Sequence, residues 1–201
     1  MPTPEQATIV AVCGSPGAGK TTTATAVAGA LGLTLLTRDE ISAGLHLSGV
    51  SRDSSRGRAE ALFVETACRF ANAATSVVVE NSVLSRDLVD GLRAAGARIV
   101  AVHVVADPSV IGQRLRDRTE RGRTVGGIRP GDVVLLDLFE RGEMRASIFE
   151  PPPGVHEVVR VDTSAGGPPD VSSVVGALHR TAAESGRRDA PCGTPGVNSP
   201  G

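Results

Sequence analysis

The chain reads as a three-layer α/β domain, a parallel sheet of five strands covered by helices on both faces. Three observations predict it. Short apolar runs of Val, Ile, Leu and Ala alternate with segments of helical periodicity along most of the 201 residues. Most of these runs are continuously apolar, as strands buried on both faces are. The first of them ends on a glycine-rich turn that leads into a helix.

Taken in order, residues 7–13 form a buried strand closed by glycine, and 20–31 a helix rich in Ala and Thr that stops near Gly32. Residues 33–37 make a second strand, and a helix opens at Arg38-Asp39-Glu40. Residues 51–58 are a polar, arginine-rich stretch, after which Ala59, Phe63, Ala67 and Phe70 recur at helical spacing. A third strand spans 76–79, a helix 86–95 and a fourth strand 99–105. Pro108 then opens another helix, a first-turn position that proline suits. Residues 114–129 are dense in charge and glycine, 132–145 have helical periodicity, 157–161 form the fifth strand and 171–184 a closing helix. From Ser185 the chain is Gly, Pro, Arg and Ser with little to bury, which predicts one domain over 1–184 and a disordered tail over 185–201.

Composition excludes several classes. A formal charge of −1 supplies no broad basic field for nucleic acid. With no Trp or Tyr and four Phe, there is little to build a base-stacking surface from. Cys13, Cys68 and Cys192 show no metal-ligand or disulfide-framework spacing. The polar first residues and the short 9–13 run predict no export signal, and no apolar run approaches membrane-spanning length. A cytoplasmic protein is the expectation, with its oligomeric state open.

Of the 21 basic side chains, Lys20 is the single lysine; the rest are arginine. It lies in Gly14-Ser15-Pro16-Gly17-Ala18-Gly19-Lys20-Thr21, which satisfies G-x-x-x-x-G-K-[ST] at every fixed position. Glycines at 14, 17 and 19 let backbone N–H groups turn inward around phosphate oxygens, and the following helix presents its positive end. A compact ammonium enters such a loop where a planar guanidinium would not. Thr21 then suits a magnesium ion bridging two phosphates, and Thr22 either the α-phosphate or the helix start. ATP and Mg2+ are the expected cofactors. A chain whose only lysine is Lys20 cannot contain the N-K-x-D loop that reads guanine. The Asp-Glu pair of transport and remodelling ATPases is also missing, because the third strand ends Val79-Glu80-Asn81. In a parallel α/β sheet, ligands gather at the carboxyl ends of the strands. Here those ends carry the glycine loop, Arg38-Asp39, Glu80-Asn81-Ser82 and Asp107.

With Gly14–Thr22, Thr37-Arg38-Asp39-Glu40 and an arginine-rich segment after strand four, residues 7–163 resemble the small phosphate-loop kinases. The resemblance is to the branch of polynucleotide kinases, zeta-toxin-like kinases and chloramphenicol phosphotransferases, within the AAA-type ATP-binding family. It implies a phosphate-loop NTPase fold with an arginine-rich lid over about 114–129. It also implies Asp39 as general base toward an acceptor hydroxyl and Arg38 as a substrate contact. Asp39 equally suits a helix N-cap. Arg118 and Arg121, with Arg114 on the same helical face, would close over the triphosphate, with Gly122, Gly126 and Gly127 as a hinge. The alternative is a solvated helix stitched by Arg116–Glu120 and Asp117–Arg121 pairs. In the family the third strand often ends in Asp before Thr-Asn. Here Glu80 takes that place, as a magnesium contact through water or an orienting partner for Arg38, with Asn81 and Ser82 toward the acceptor. Arg52, Arg56 and Arg58 suit an anionic acceptor or a solvated face, and His46, His103, His156 and His179 suggest no site.

The expected activity is transfer of the ATP γ-phosphate to a hydroxyl of a small molecule or a nucleic-acid 5′ end. A regulatory ATPase without a dedicated acceptor is the alternative. Neither an extended nucleic-acid surface nor a membrane partner is expected.

Overall fold

A computed structural model describes residues 6–124 and 130–179 of the protein. The 125–129 part of the expected lid with Gly126 and Gly127, the end of the closing helix at 180–184, and the 185–201 tail lie outside the described residues. The elements are β1 (Thr8–Cys13), α1 (Lys20–Leu31), β2 (Leu35–Thr37), α2 (Arg38–Leu47), α3 (Arg52–Asn72) and β3 (Val77–Glu80). There follow α4 (Arg86–Ala94), β4 (Arg98–Val105), α5 (Pro108–Thr124), α6 (Pro130–Glu140), a 3-10 turn (Ala146–Phe149) and β5 (Glu157–Asp162). Residues 172–179 are helical. The five strands are parallel and lie in the order β2-β3-β1-β4-β5.

Period-two alternation sends the side chains of β1 into two separate cores. Ile9, Ala11 and Cys13 pack with Phe63 and Ala67 of α3 and with Leu88 and Leu92 of α4. Val10 and Val12 pack on the other face with Ala24 and Val27 of α1 and with Val174. Ile9, Val12 and Phe63 are fully buried. Each of these side chains contributes about 1.5–3 kcal/mol by leaving water. Because β1 is paired on both edges, the loop that follows it is anchored in the middle of the sheet. The loop begins where only glycine fits. Gly14 has φ 143°, and a Cβ there would fall 2.2 Å from the Val104 carbonyl oxygen.

In three elements a boundary differs from the expectation by two residues or more, each for a local reason. Strand β2 starts at Leu35, because the backbone N–H of Leu33 is used to close α1 on the Ala28 carbonyl, past the left-handed Gly32. Residues 52–58 are helical, not an irregular stretch before a helix: Ser51 caps the amide of Ser54, and Asp53 lies in the first turn of α3. Helix α6 ends at Glu140, short of Arg145. Gly142 at φ 69° turns the chain, and the Glu143 N–H returns to the Leu138 carbonyl.

Candidate active site

The glycine loop wraps the start of α1. The Gly14 N–H donates to the Ser82 carbonyl at 3.2 Å, which joins the loop to the end of β3. Helix α1 is preceded by Gly19 with no side-chain cap, and no acidic residue occupies its first turn. Its leading N–H groups and positive end therefore remain for an anion from outside the chain. Lys20 is only 8 % exposed, and its Nζ donates to the Ser15 carbonyl at 3.2 Å. The backbone at Gly17 and Gly19 is left-handed, φ 85° and 95°, and a Cβ on Gly17 would press on Ile111 and Leu115 of α5. This cradle has the form that phosphate oxygens require.

Beside Lys20, the end of β3 places Glu80, also buried. Burial lowers the Lys20 pKa, opposed first by the Glu80 carboxylate and then by that of Asp39; the Arg118 cation lowers it further. Burial raises the Glu80 pKa, while the Lys20 cation and a hydrogen bond with the Thr21 side chain pull it down. Desolvation thus works against the charge of both groups, and each is the other's strongest counter-charge. A bound polyphosphate would favour the Lys20 cation, and a metal cation the Glu80 carboxylate. Thr21 and Glu80 together present hard oxygen donors of the kind magnesium takes. Among the described residues, no group of three His, Cys, Asp or Glu could hold a metal by itself. The residues fit an ion that arrives on nucleotide phosphates.

The raised Glu80 pKa has a definite sign. Folding lifts it above the reference of 4.5, so its contribution to stability is present below that value and lost as pH rises through the folded value. Carboxyl-carbon NMR of the nucleotide-free protein is expected to show Glu80 titrating above an ordinary glutamate. In Lys20→Ala the midpoint moves further up, because the opposing cation is gone.

At the end of β2, α2 is capped by Thr37, whose Oγ1 accepts from the Glu40 N–H at 3.1 Å. Thr37, not Asp39, is the helix cap. That removes the alternative role for Asp39, whose side chain is 86 % exposed and accepts from Arg38 Nη1 at 3.2 Å. The Arg38 Nε approaches the Glu60 carboxylate at 3.7 Å. Glu60 also accepts from Asn81 Nδ2 at 3.1 Å, and Asn81 Oδ1 accepts from the Ser82 N–H at 2.8 Å. Arg38, Asp39, Glu80, Asn81 and Ser82 line one small cavity of about 10 Å³. The carboxylates that hold Arg38 are Asp39 and, from α3, Glu60, to which no local sequence pattern points. Arg56 and Arg58 are exposed and outside this lining, and the Arg52 side chain lies outside the described ones.

The arginine face of α5 divides by task. Arg114 does not stand over the site. Its Nη1 donates to the Gly17 carbonyl at 3.3 Å and to Thr163 Oγ1 at 2.9 Å, and its Nη2 donates to the Thr163 carbonyl at 2.8 Å. Thr163 Oγ1 in turn donates to the Ala18 carbonyl at 2.7 Å. Arg114 therefore clamps the glycine loop to the segment after β5. Loss of these bonds leaves partly buried carbonyls without a charged donor, so Arg114→Ala is expected to cost about 1–3 kcal/mol in denaturant unfolding. Arg118 pairs through Nε with Asp132 of α6 at 2.8 Å, and Arg121 Nε donates to the Asp117 carbonyl at 3.2 Å. Arg116 reaches Glu140 of α6 at 3.7 Å. A cleft of about 410 Å³ lined by Arg116, Thr119, Glu120 and Leu136 lies between α5 and α6, on the other side of α5 from Arg114.

Cradle, buried lysine and five-stranded order define a phosphate-loop nucleotide-binding protein of kinase-like fold. Residues 9–127, more than half of the chain, match the AAA domain family, and the chain belongs to it. A candidate kinase from Chloroflexus aurantiacus j-10-fl has a similar structure: TM-score 0.69, 22% identity, 90% of this chain and 99% of that one covered. A gluconokinase from Sinorhizobium meliloti 1021 is similar with TM-score 0.55, 23% identity, and coverage of 92% and 99%. A sugar kinase from Janibacter sp. HTCC2649 is similar with TM-score 0.54, 21% identity, and coverage of 88% and 95%. At these identities the likeness is one of fold. No curated protein matches the sequence.

Proposed function

We propose that the protein is an ATP- and magnesium-dependent kinase that transfers the γ-phosphoryl group to a hydroxyl of a small molecule or a nucleic-acid 5′ end. The observation that carries this is the buried Lys20–Glu80 pair with Asp39 in electrostatic reach of both, all at the carboxyl ends of neighbouring strands. Within the loop from Gly14 to Thr22, where the Gly14 and Ala18 N–H groups are held by Ser82 and Ser15 and Pro16 has none, the N–H groups of Gly17, Gly19, Lys20, Thr21 and Thr22 bind the phosphate oxygens, and the Lys20 ammonium neutralises them. Thr21 and Glu80 would hold magnesium. The ion supplies charge neutralisation and a fixed phosphate geometry.

Asp39 accepts the proton of the acceptor hydroxyl as its oxygen bonds to the γ-phosphorus. The bond to the β–γ bridging oxygen breaks on the opposite side, and its electron pair leaves with ADP. Asn81 and Ser82 face the acceptor, and Arg38 orients Asp39. Arg118 and Arg121 belong to the lid, where they screen charge during transfer. For Arg118→Ala, transfer is expected to slow by about tenfold or more with the fold retained. Unchanged kinetics would reduce it to an Asp132 partner. Dependence on ATP suits a cytoplasmic setting, and no described helix is long and apolar enough to cross a membrane.

Incubation with ATP, Mg2+ and a panel of hydroxyl compounds, with mass detection of an added phosphoryl group, tests the reading. A kinase yields acceptor-dependent product. Phosphate release that is indifferent to every acceptor would instead make the protein a regulatory ATPase.

A further inference from the structure

We infer that the acceptor is a non-anionic polyhydroxyl compound, neutral or bearing an ammonium group, and that Glu60 sets this preference from outside the reacting atoms. The inference rests on the kinase reading above and specifies its acceptor.

Among the described residues, Arg38 is the one cation lining the strand-end cavity, beside the acidic Asp39 and Glu80. It is already engaged: Nη1 donates to Asp39 at 3.2 Å, and Nε faces Glu60 at 3.7 Å. Its side chain is 20 % exposed, so little of the guanidinium remains for a carboxylate or phosphate on the acceptor. The amide of Asn81 is committed in the same way, its nitrogen to Glu60 and its oxygen to the Ser82 N–H. Lys20 faces the glycine loop. Beside the Ser82 hydroxyl, what remains accessible is carboxylate oxygen: Asp39 spends one oxygen on Arg38, and Glu60 is one-third exposed.

Ionised carboxylates accept hydrogen bonds and donate none. They suit O–H and N–H+ groups and repel an acceptor that brings a negative charge into a partly buried site. Glu80 is matched by Lys20, and Asp39 and Glu60 together outweigh the charge of Arg38 there. A nucleic-acid 5′ end carries a phosphodiester next to its terminal nucleoside and is disfavoured on the same ground. The transfer step is unchanged: the acceptor O–H gives its proton to Asp39, gains the bond to phosphorus, and ADP departs with the electron pair.

The test uses acceptors matched in shape and differing in charge. Two such sets are glucose, glucosamine and glucuronate, and galactose, galactosamine and galacturonate; a 5′-hydroxyl oligonucleotide completes the panel. Product is counted by mass after incubation with the 201-residue protein, ATP and Mg2+. The expected result is a kcat/KM for the neutral or amino member roughly a hundredfold above that of the acid, with no oligonucleotide product. In Glu60→Gln one carboxylate is removed and one edge of Arg38 is released, so that ratio falls about tenfold. A purely structural role for Glu60 would lower both rates together and leave the ratio intact, which would remove it as the determinant. Preference for the acids or the oligonucleotide overturns the acceptor class while leaving the kinase reading standing. ATP hydrolysis unmoved by every acceptor overturns the kinase reading, and the inference with it.

Discussion

Lys20→Ala lowers phosphoryl transfer by roughly a hundredfold to a thousandfold while the protein stays folded. The size follows from where the ammonium sits. It is buried at the start of α1, beside a loop whose backbone already points N–H groups inward, so its charge acts on phosphate with little screening by water. The fold survives because a buried cation carries a desolvation cost that its removal relieves. Glu80, whose pKa is already raised by burial, absorbs the lost countercharge by taking up a proton more readily. Single-turnover kinetics with the best acceptor, together with circular dichroism of the variant, check both halves. Transfer within a few-fold of the parent would remove the lysine from the reaction.

Asp39→Asn separates binding from chemistry. ATP affinity is expected to stay within about threefold of the parent, because the loop contacts are untouched. Transfer falls by about 10²–10⁴-fold, the usual contribution of a positioned base. The swap keeps size and polarity, and Thr37 rather than Asp39 caps α2, so the melting temperature should not move. Filter binding of labelled nucleotide and acceptor turnover are the two readouts. Parent-like turnover in this variant would leave the acceptor proton to another group.

Much of this was legible before the structure. The glycine loop is written in eight consecutive positions that include one lysine, and the continuous apolar runs suit a sheet covered on both faces. Pro108 announces the start of α5 by local stereochemistry alone. What stayed hidden depends on distance along the chain. Glu60 meets Asn81 across 21 residues, and Thr163 meets Ala18 across 145, contacts that no local pattern encodes. The first two turns of α3 were hidden for another reason. Their inward positions are polar, so apolar periodicity is silent there, although Ser51 followed by Asp53 carries a readable cap signal. Arg114 shares a helical face with Arg118, and only the tertiary fold separates the clamp on the glycine loop from the partner of Asp132.

The sheet order has a mechanical consequence. The nucleotide loop hangs from β1, hydrogen-bonded on both edges over most of its length, whereas Asp39 follows β2, an edge strand of three residues paired on one side. Local opening draws on the least protected parts of a fold. Amide exchange at Val10–Val12 should therefore require global unfolding, while Leu35–Thr37 and α2 exchange through a cheaper, partial one. On the proposed reaction, the half that receives the hydroxyl compound would breathe to admit and release cargo while the half that grips the triphosphate stays rigid, so turnover need not cost the protein its hold on fuel.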